Sequence, residues 1–448
     1  MTAPSILWFR RDLRLADHHA LTAAASEGPV VALFVLDDVS PGQWAIGAAQ
    51  RWWLHHSLVA LDDRIGGKLL LRRGRAADVV RALASEIGAA SVHATRLYEP
   101  WERATEDALG DLVTLHDGDT LIAPEQVTTK AGTPFKVYGA FWRTLAEQLP
   151  PPPLLDEPEV IFASPPPGDR LDDWQLRPTR PDWATRFNEH ASPGEAGALD
   201  QLAAFVPASP RYHSRRNLPS DEGTSRLSPH LHFGEVSPRQ VWHALALKGG
   251  AKFLKELAWR DFARSALIAQ PDLPEREGRA AMARIGWRSG PDADADFAAW
   301  SRGRTGYPIV DAGMRQLWAT GWMHNRVRMI VASFLVKHLL IDWRRGEAWF
   351  WDTLVDADLA NNALNWQWIA GTGTASQGFE RVMAPLLQSA KFDAAGYIRD
   401  WVPELAHLDD ATIHDPAPLD RGSYSQPLIG HREGRERALS ALAASRIA

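Results

Sequence analysis

The chain has 448 residues, a formal net charge of −6, 45% hydrophobic residues and no cysteine. This length exceeds one ordinary core, so we expect two domains. The lack of cysteine excludes disulfides, thiolate nucleophiles and cysteine-based zinc sites, and it suits a cytoplasmic enzyme. No window approaches the roughly 18 uninterrupted apolar residues of a membrane span, so we expect no membrane association. The negative charge argues against indiscriminate coating of nucleic acid but allows a local basic groove.

Residues 1–130 alternate β-rich runs with alanine-rich amphipathic segments. The predicted strands are SILWF, PVVALFVLD, KLLLRRG, SVHATRLYE and LVTLHDGDTLI. This alternation predicts an α/β domain with a parallel, Rossmann-like sheet. The segment contains neither G-x-G-x-x-G nor the lysine-containing P-loop pattern, so no nucleotide fingerprint is supported there.

Residues 131–198 are rich in proline with interspersed acidic residues. We predict a long connector that is too stiff and polar to form a core. From residue 199 to 448 helical spacing dominates, which predicts an all-α domain. Ser228-Pro229 and Ser237-Pro238 have the pattern of helix starts, with serine as the cap and proline in the first turn.

The stretch GTSRLSP offers hydroxyl groups directly before a helix. Thr224, Ser225 and Ser228 could form an anion site together with the unpaired amides of the helix N-terminus. The same serines could instead only cap the helix, and the residues leave both readings open. His230 and His232 would lie on different faces of a helix without an acidic partner, so we expect no metal site.

Three further segments each place polar groups beside an indole or a methionine on one helical face. The three sets are Glu256, Trp259 and Arg260; Asn325, Arg328 and Met329; and Asp358, Asn362 and Trp366. The first set could also be a surface Glu–Arg pair beside a core tryptophan. Hydrolytic motifs such as G-x-S-x-G and H-E-x-x-H are absent from the sequence. Amides, carboxylates, arginine and indoles together suit a bound planar heterocycle.

The stretch TGYPIVDAGMRQLWATGWMHNRVRMIVASFLVKHLLIDWRRGE, followed by DADLANNALNWQW, resembles the flavin-binding domain of the DNA photolyase/cryptochrome family. The resemblance runs from LWFRRDLRLADHHAL to KFDAAGYIRDWVPEL and points to bacterial class I photolyases. It implies an α/β antenna domain and a helical domain that holds FAD and binds the DNA lesion. The implied activity is that of a deoxyribodipyrimidine photo-lyase, which splits cyclobutane pyrimidine dimers with an electron from excited, reduced FAD.

The resemblance also assigns roles around the flavin. The residues implied to bind FAD are Tyr212, Thr224, Ser225, Leu227, Ser228, Arg328, Asp356, Asp358 and Asn362. The first five would hold the phosphates and ribityl chain, which favours function over capping in the GTSRLSP stretch. Arg328 and Asp356 would pair over the ring, Asp358 would bind its polar edge, and Asn362 would face N5. Plant cryptochromes have aspartate and animal cryptochromes have cysteine at this last position.

Matching positions imply a pocket for a flipped-out dimer, lined by stacking indoles and hydrogen-bonding side chains. The implied lesion-binding residues are Glu256, Trp259, Arg260, Asn325, Met329 and Trp368. Asn325 and Met329 favour cyclobutane dimers, because (6-4) photolyases carry histidines in this region.

Trp366, Trp343 and Trp287 resemble the chain of indoles that reduces oxidised flavin by light, with Trp300 as a competing terminal residue. Trp101 and Glu102 occupy positions where folate-binding relatives carry an asparagine–glutamate pair. The antenna is therefore methenyltetrahydrofolate, a deazaflavin or none.

Two functions from different classes follow from the resemblance. The first is a monomeric repair enzyme that acts on UV-damaged DNA. The alternative is a cryptochrome-type blue-light receptor. Asn362, the Glu256/Trp259/Met329 pocket and the short tail after VPEL favour repair.

Overall fold

The computed structural model describes residues 3–446, which form two compact units. Unit 1 contains the chain up to Pro210 together with Ser225–Pro271 and Val355–Leu359. Unit 2 contains Arg211–Thr224, Asp272–Leu354 and the chain from Ala360 onward. Both units are therefore built from several separate segments. The division into consecutive regions 1–130, 131–198 and 199–448 stays a prediction from the sequence.

Unit 1 contains the predicted parallel sheet. Its strands are β1 (Ser5–Phe9), β2 (Val30–Leu36), β3 (Leu69–Arg73), β4 (Val92–Thr95) and β5 (Val113–His116), in the order β3-β2-β1-β4-β5. Every pairing is parallel, as with Leu7 beside Ala32 and His93. β1 and β2 are buried along their whole length, as expected for strands covered on both faces. β4 and β5 are shorter than predicted, and both end where charged residues and turns follow.

The helices account for most of the remaining chain. They are α1 (His19–Glu27), α2 (Ala48–Arg64), α3 (Ala76–Ile87), α4 (Pro100–Leu109), α5 (Tyr138–Ala146), α6 (Glu195–Phe205), α7 (Tyr212–Arg215), α8 (Ser228–His232), α9 (Pro238–Ala246), α10 (Ala251–Ala269), α11 (Pro291–Ser301), α12 (Pro308–Thr320), α13 (Asn325–Ser333), α14 (Trp343–Thr353), α15 (Leu359–Ala370), α16 (Pro385–Lys391), α17 (Ala395–Trp401) and α18 (His431–Ser445). Within residues 3–446, none of them combines the length and the apolarity needed to cross a bilayer.

The proline-rich connector is part of the core of unit 1, so the prediction that it is too polar for a core is wrong. Trp174 and Phe187 are buried in the same cluster as residues of β1, β2 and α2. Residues around Phe162 also extend the sheet, because Val30 donates to Ile161 O and accepts from Ala163 N. A few isolated aromatic residues in a polar segment are enough to anchor it, since each indole or phenyl ring buries a large area.

The two Ser-Pro pairs behave differently. Ser237 caps α9 as predicted, in a capping box with Gln240. Ser228 is instead the first residue of α8, whose cap position is Leu227 and has no side-chain cap bond. The prediction that Ser228 caps a helix is therefore wrong, and its hydroxyl is exposed rather than used for the cap.

A π-helical segment follows α13 in unit 2 and carries a fully buried lysine. The segment is Phe334–His338, and Lys337 Nζ donates to Ala370 O at 2.7 Å and to Phe379 O at 2.9 Å. Burial lowers the pKa of Lys337 well below its usual range. Lys337 thus satisfies a carbonyl group at the C-terminal end of α15, the helix that carries several predicted site residues.

Candidate functional site

Asp358 lies directly before α15, and its carboxylate is buried in a network of unit 1. Arg264 on α10 donates to Oδ1 at 2.7 Å, and its Nη2 lies 2.6 Å from Oδ2. Burial alone would raise the pKa of Asp358, but the Arg264 guanidinium outweighs burial and holds this pKa well below its usual range. Asp358 is therefore a fixed negative charge at the start of α15.

The predicted helical stripe of Asp358, Asn362 and Trp366 is wrong at its first position. α15 begins at Leu359, so Asp358 precedes the helix rather than lying one turn before Asn362 within it. Aspartate is unfavourable in helix interiors, and the carboxylate of Asp358 already accepts a hydrogen bond from Arg264. Asn362 and Trp366 are on α15 and are both buried.

Arg260 lies in the interior of unit 1. Its guanidinium donates to the backbone carbonyl and the carboxylate of Asp119, and to Leu231 O at 3.2 Å. Arg264 Nε donates to the same carboxylate at 2.8 Å. These bonds anchor α10, and they leave the predicted lesion-binding role of Arg260 without geometric support.

The other two predicted residues of α10 are half-buried. Glu256 Oε1 lies 2.7 Å from Lys252 Nζ, one turn earlier, so the alternative Glu256–Arg260 surface pair is wrong. Trp259 stacks face to face on Tyr138, with ring centroids 3.7 Å apart and an angle of 7° between the planes. The carboxylate and the indole of α10 are therefore both held by neighbours of unit 1.

The GTSRLSP stretch forms a bent loop rather than a long helix start. In unit 1, Ser225 Oγ accepts from Leu227 N at 3.3 Å, and Ser225 O accepts from Gln201 Nε2 at 2.9 Å. Arg226, between Ser225 and Leu227, has a φ of 51°, and this left-handed conformation bends the chain. Thr224 and the buried Tyr212, the two remaining predicted phosphate-binding residues, belong to unit 2.

Asn362 has a fixed side-chain orientation in unit 2. Its Nδ2 donates to the backbone carbonyl of Glu347 on α14 at 3.0 Å. The carboxyl group of Glu347 is fully buried and has no hydrogen-bond partner among the described residues. Burial raises the pKa of Glu347 well above its usual range, because no partner among the described residues compensates for the loss of water around the charged form.

Trp366 is surrounded by aromatic rings of unit 2. Its ring centroid is 5.0 Å from that of Phe350 and 6.4 Å from that of Trp300, which is itself fully buried. α14 approaches the indole most closely at Gly346, where an added Cβ would lie 2.2 Å from Cη2 of Trp366. Trp343, one turn earlier on α14, is fully buried with Arg344 over its ring at 4.6 Å.

α13 presents the predicted polar stripe at its beginning. Asn325 is the first residue and is exposed, whereas Arg328 and Met329 are half-buried. Arg328 Nε donates to Met323 O at 2.8 Å. Trp368, near the end of α15, is also half-buried, so it can present part of its indole to a ligand.

Two family models match the chain: one described as DNA photolyase spans residues 5–159, and one described as the FAD binding domain of DNA photolyase spans residues 253–444. The deoxyribodipyrimidine photo-lyase of Agrobacterium fabrum is 46% identical over 476 aligned positions, covering 99% of this chain and 98% of that protein. The chain belongs to the DNA photolyase family. Cryptochrome-1 of Arabidopsis thaliana is a further relative, 36% identical over 98% of this chain and 70% of its own length.

The solved structures refine the class. A crystal structure of a bacterial class III photolyase from Agrobacterium tumefaciens matches with a TM-score of 0.94 and 46% identity, covering 100% of this chain and 98% of that one. This corrects the expected likeness to class I enzymes. That expectation rested on motifs quoted for the family as a whole, and none of them was specific to class I enzymes.

The FAD-binding domain of the photolyase family confirms the predicted fold and cofactor class. The second chromophore stays unresolved, but the candidate antenna position has defined contacts in unit 1. Trp101 Nε1 donates to Glu102 Oε1 at 3.2 Å, and Arg10 Nη2 donates to Glu102 Oε2 at 2.5 Å. Both carboxylate oxygens of Glu102 thus have protein partners in this photolyase.

The structure also bears on the terminal tryptophan of the predicted electron path. Trp300 is fully buried and donates from Nε1 to Val331 O at 3.0 Å. Trp287 is half-buried, with its ring 6.2 Å from that of Phe379. Trp287 is therefore the more exposed of the two candidates, and the ring of Trp300 contacts Trp366.

Sequence reasoning missed the groups that hold the predicted residues in place. These residues are Asp119, Tyr138, Arg264 and Glu347. Tyr138 fell inside the predicted connector, and the partners of Asp119 and Arg264 lie far away in the sequence. Glu347 lies one turn after the predicted Trp343 on α14, so the four-residue spacing was a signal that could have found it.

Proposed function

We propose that the chain is a light-driven lyase that splits cyclobutane pyrimidine dimers in DNA. The observation that carries this proposal is the 46% identity, across nearly both whole chains, with a deoxyribodipyrimidine photo-lyase. UV-damaged DNA is its proposed substrate, and the enzyme is proposed to act as a cytoplasmic monomer. Bound FAD, in its reduced form, supplies the excited electron for ring splitting.

The residues of each unit fit such a cofactor in their chemistry. Asp358 is a permanent carboxylate, which can accept from the N–H edge of a flavin ring. Asn362 is buried and held in one orientation by its bond to Glu347 O. In unit 2, Arg328 and Tyr212 are proposed to bind FAD, Tyr212 on the phosphate side, and in unit 1 Asp356 is proposed to do so.

Asn362 is proposed to act on flavin N5 through its carbonyl oxygen. Because one N–H of Nδ2 donates to Glu347 O, the orientation of the amide group is fixed by α14. The oxygen then serves as an acceptor for an N–H group but cannot supply a proton. An aspartate at this position could carry a proton, whereas Asn362 could only accept a hydrogen bond from N5–H with its oxygen.

For lesion binding in unit 1, we propose that Trp259 stacks on the dimer while Glu256 binds its edge. In unit 2, the family resemblance supports Trp368, Asn325 and Met329 as proposed lesion-binding residues. Half-buried indoles suit this task, since part of each ring is packed and part can meet a ligand. Arg260 is left out of the proposed pocket because Asp119 holds it in the interior.

For photoreduction, we propose that Trp366 passes electrons to oxidised flavin and is refilled through Trp343 and Trp287. Trp366→Phe should abolish most photoreduction while sparing repair by chemically reduced enzyme. Comparing Trp343→Phe with Trp300→Phe then separates the proposed route from one through the neighbouring ring of Trp300. Loss of both photoreduction and repair in Trp366→Phe would count against the assignment.

The central experiment combines spectroscopy with a repair assay. Purified protein should show a flavin absorption band, and illumination should restore oligonucleotides that carry cyclobutane dimers. Dark samples and (6-4) oligonucleotides are the controls, and Trp259→Ala should weaken repair. A preparation without flavin, or with flavin but without light-dependent repair, would contradict the proposal.

A blue-light receptor is the second candidate, supported by the 36% identity with Cryptochrome-1. The same experiment separates the two functions. Flavin photoreduction without dimer splitting would favour the receptor, whereas splitting at a substoichiometric amount of protein would favour the enzyme.

A further inference from the structure

Tyr138 connects two helices of unit 1 at the predicted lesion-stacking tryptophan. It is the first residue of α5, and its ring lies flat on Trp259, 3.7 Å away between centroids. Its hydroxyl donates to Lys255 O at 2.5 Å, one turn before Trp259 on α10. One side chain thus holds both the plane of the indole and the turn of helix that carries it.

A rigid apolar base lies behind this stack. Phe262 meets both rings edge-on, with centroids 5.8 Å from Tyr138 and 5.6 Å from Trp259. Phe141 is fully buried and lies 5.4 Å from Phe262. Edge-to-face contacts of this kind fix ring orientation beyond simple burial. The Tyr138–Trp259 stack is therefore supported from the interior.

The surroundings of the stack are basic and aromatic. Lys255 Nζ lies 5.5 Å from the ring of Trp142, and Lys136 is exposed two residues before Tyr138. Burial, helped by the negative charge of Glu256, raises the pKa of Tyr138, so its hydroxyl remains a hydrogen-bond donor. Alternating lysines and rings suit a nucleic-acid strand, since the lysines attract phosphates and the rings stack on bases.

We propose that Tyr138 is a positioning residue for lesion recognition, which holds one face of Trp259 so that the other face stacks on a flipped-out cyclobutane dimer. This inference rests on the proposed function. An indole that is free to rotate loses rotamer freedom when a ligand binds, and this loss weakens affinity. Tyr138 fixes the indole of Trp259 before the lesion binds. Removal of the Tyr138 ring should therefore weaken lesion binding rather than general DNA binding.

The test measures the dissociation constants of dimer-containing and undamaged oligonucleotides by fluorescence anisotropy. Tyr138→Leu should weaken binding of the dimer by about fivefold to tenfold, the lower end of what loss of base stacking costs. Binding of the undamaged strand should change less than twofold. Tyr138→Phe keeps the ring and should stay within about threefold of wild type. Lys136→Ala is the control for charge and should weaken both strands equally.

A double-mutant cycle shows whether Tyr138 acts through Trp259. If it does, Tyr138→Leu should add little to the loss already caused by Trp259→Ala. Additive losses, or an unchanged ratio of dimer to undamaged affinity in Tyr138→Leu, would overturn the proposal. Urea midpoints and bound flavin per chain report on folding, and Tyr138→Gln is the second ring-less variant if Tyr138→Leu is unstable.

The wild-type protein distinguishes this inference from the proposed function. If wild type neither prefers nor repairs dimers, the proposed function fails. If wild type does both and Tyr138→Leu keeps the same preference, only the role of Tyr138 is overturned.

Discussion

Replacing Asp119 by asparagine should destabilise unit 1 by about 3–5 kcal/mol, because it removes the anion between two buried guanidinium groups. Asp119 accepts from Arg260 and, at 2.8 Å, from Arg264 Nε. Charge-assisted bonds of this kind contribute about 1.5–3 kcal/mol each, so two of them agree with that range. In Asp119→Asn, one oxygen becomes an N–H₂ donor, which cannot accept from a guanidinium.

Urea unfolding followed by circular dichroism gives the measurement, with the shift in midpoint read at an unchanged slope. Asp410→Asn is a matched control, since Asp410 pairs with Arg399 at 2.6 Å but is largely exposed, and it should cost less than about 1 kcal/mol.

Burial would raise the pKa of Asp119, but Arg260 and Arg264 lower it below the usual carboxyl range. The stabilisation is therefore present above about pH 4, and the gap between wild type and Asp119→Asn should narrow as pH falls below that value. A loss under about 1 kcal/mol at pH 7, or a gap that widens in acid, would refute this reasoning.

Two further perturbations test the surroundings of Trp366 and Asn362. Gly346→Ala places a Cβ 2.2 Å from Trp366 Cη2 and should lower the free energy of unfolding by about 1–3 kcal/mol through overpacking. Gly286→Ala is the control and should be nearly neutral, because no atom lies within 4 Å of its added Cβ. Urea midpoints of both variants provide the check. For Glu347, burial raises the pKa, so its stabilising neutral form is present at low pH and is lost as pH rises through the raised pKa. Glu347→Gln does not titrate, so its melting temperature should rise relative to that of wild type as pH increases above about 4.5, the ordinary glutamate range, and a difference that stays constant with pH would contradict the raised pKa.

The sheet could be predicted because its strands carry their signal locally. β1 and β2 are continuous apolar runs, which is the pattern of strands buried on both faces. The predicted β5 is too long, because Thr120, Leu121 and Ile122 resume a strand-like pattern beyond the Asp-Gly-Asp stretch although the ladder stops at His116. Strand content follows from local sequence, whereas the end of a strand depends on what its neighbours offer for pairing.

The sequence proposes residues for the candidate site but gives no signal for most of the residues that hold them. Trp259 and Asn362 stand out through family motifs, yet their partners come from segments with no such motif. Tyr138 lies in the stretch predicted as a connector, and the contact between Asn362 and Glu347 depends on how α15 packs on α14. Contacts between distant segments are fixed by tertiary packing, which a single sequence does not encode in any local pattern.

Lys337 offers a chemical reporter for unit 2. The lowered pKa of Lys337 favours the unprotonated amine, which is the nucleophilic form, but Nζ is buried and donates to Ala370 O and Phe379 O. Acylation at this side chain therefore requires the segment to open, and its rate follows the free energy of that opening. Tryptophan fluorescence averages over both units, whereas peptide mass spectrometry of this lysine would time the opening of one of them.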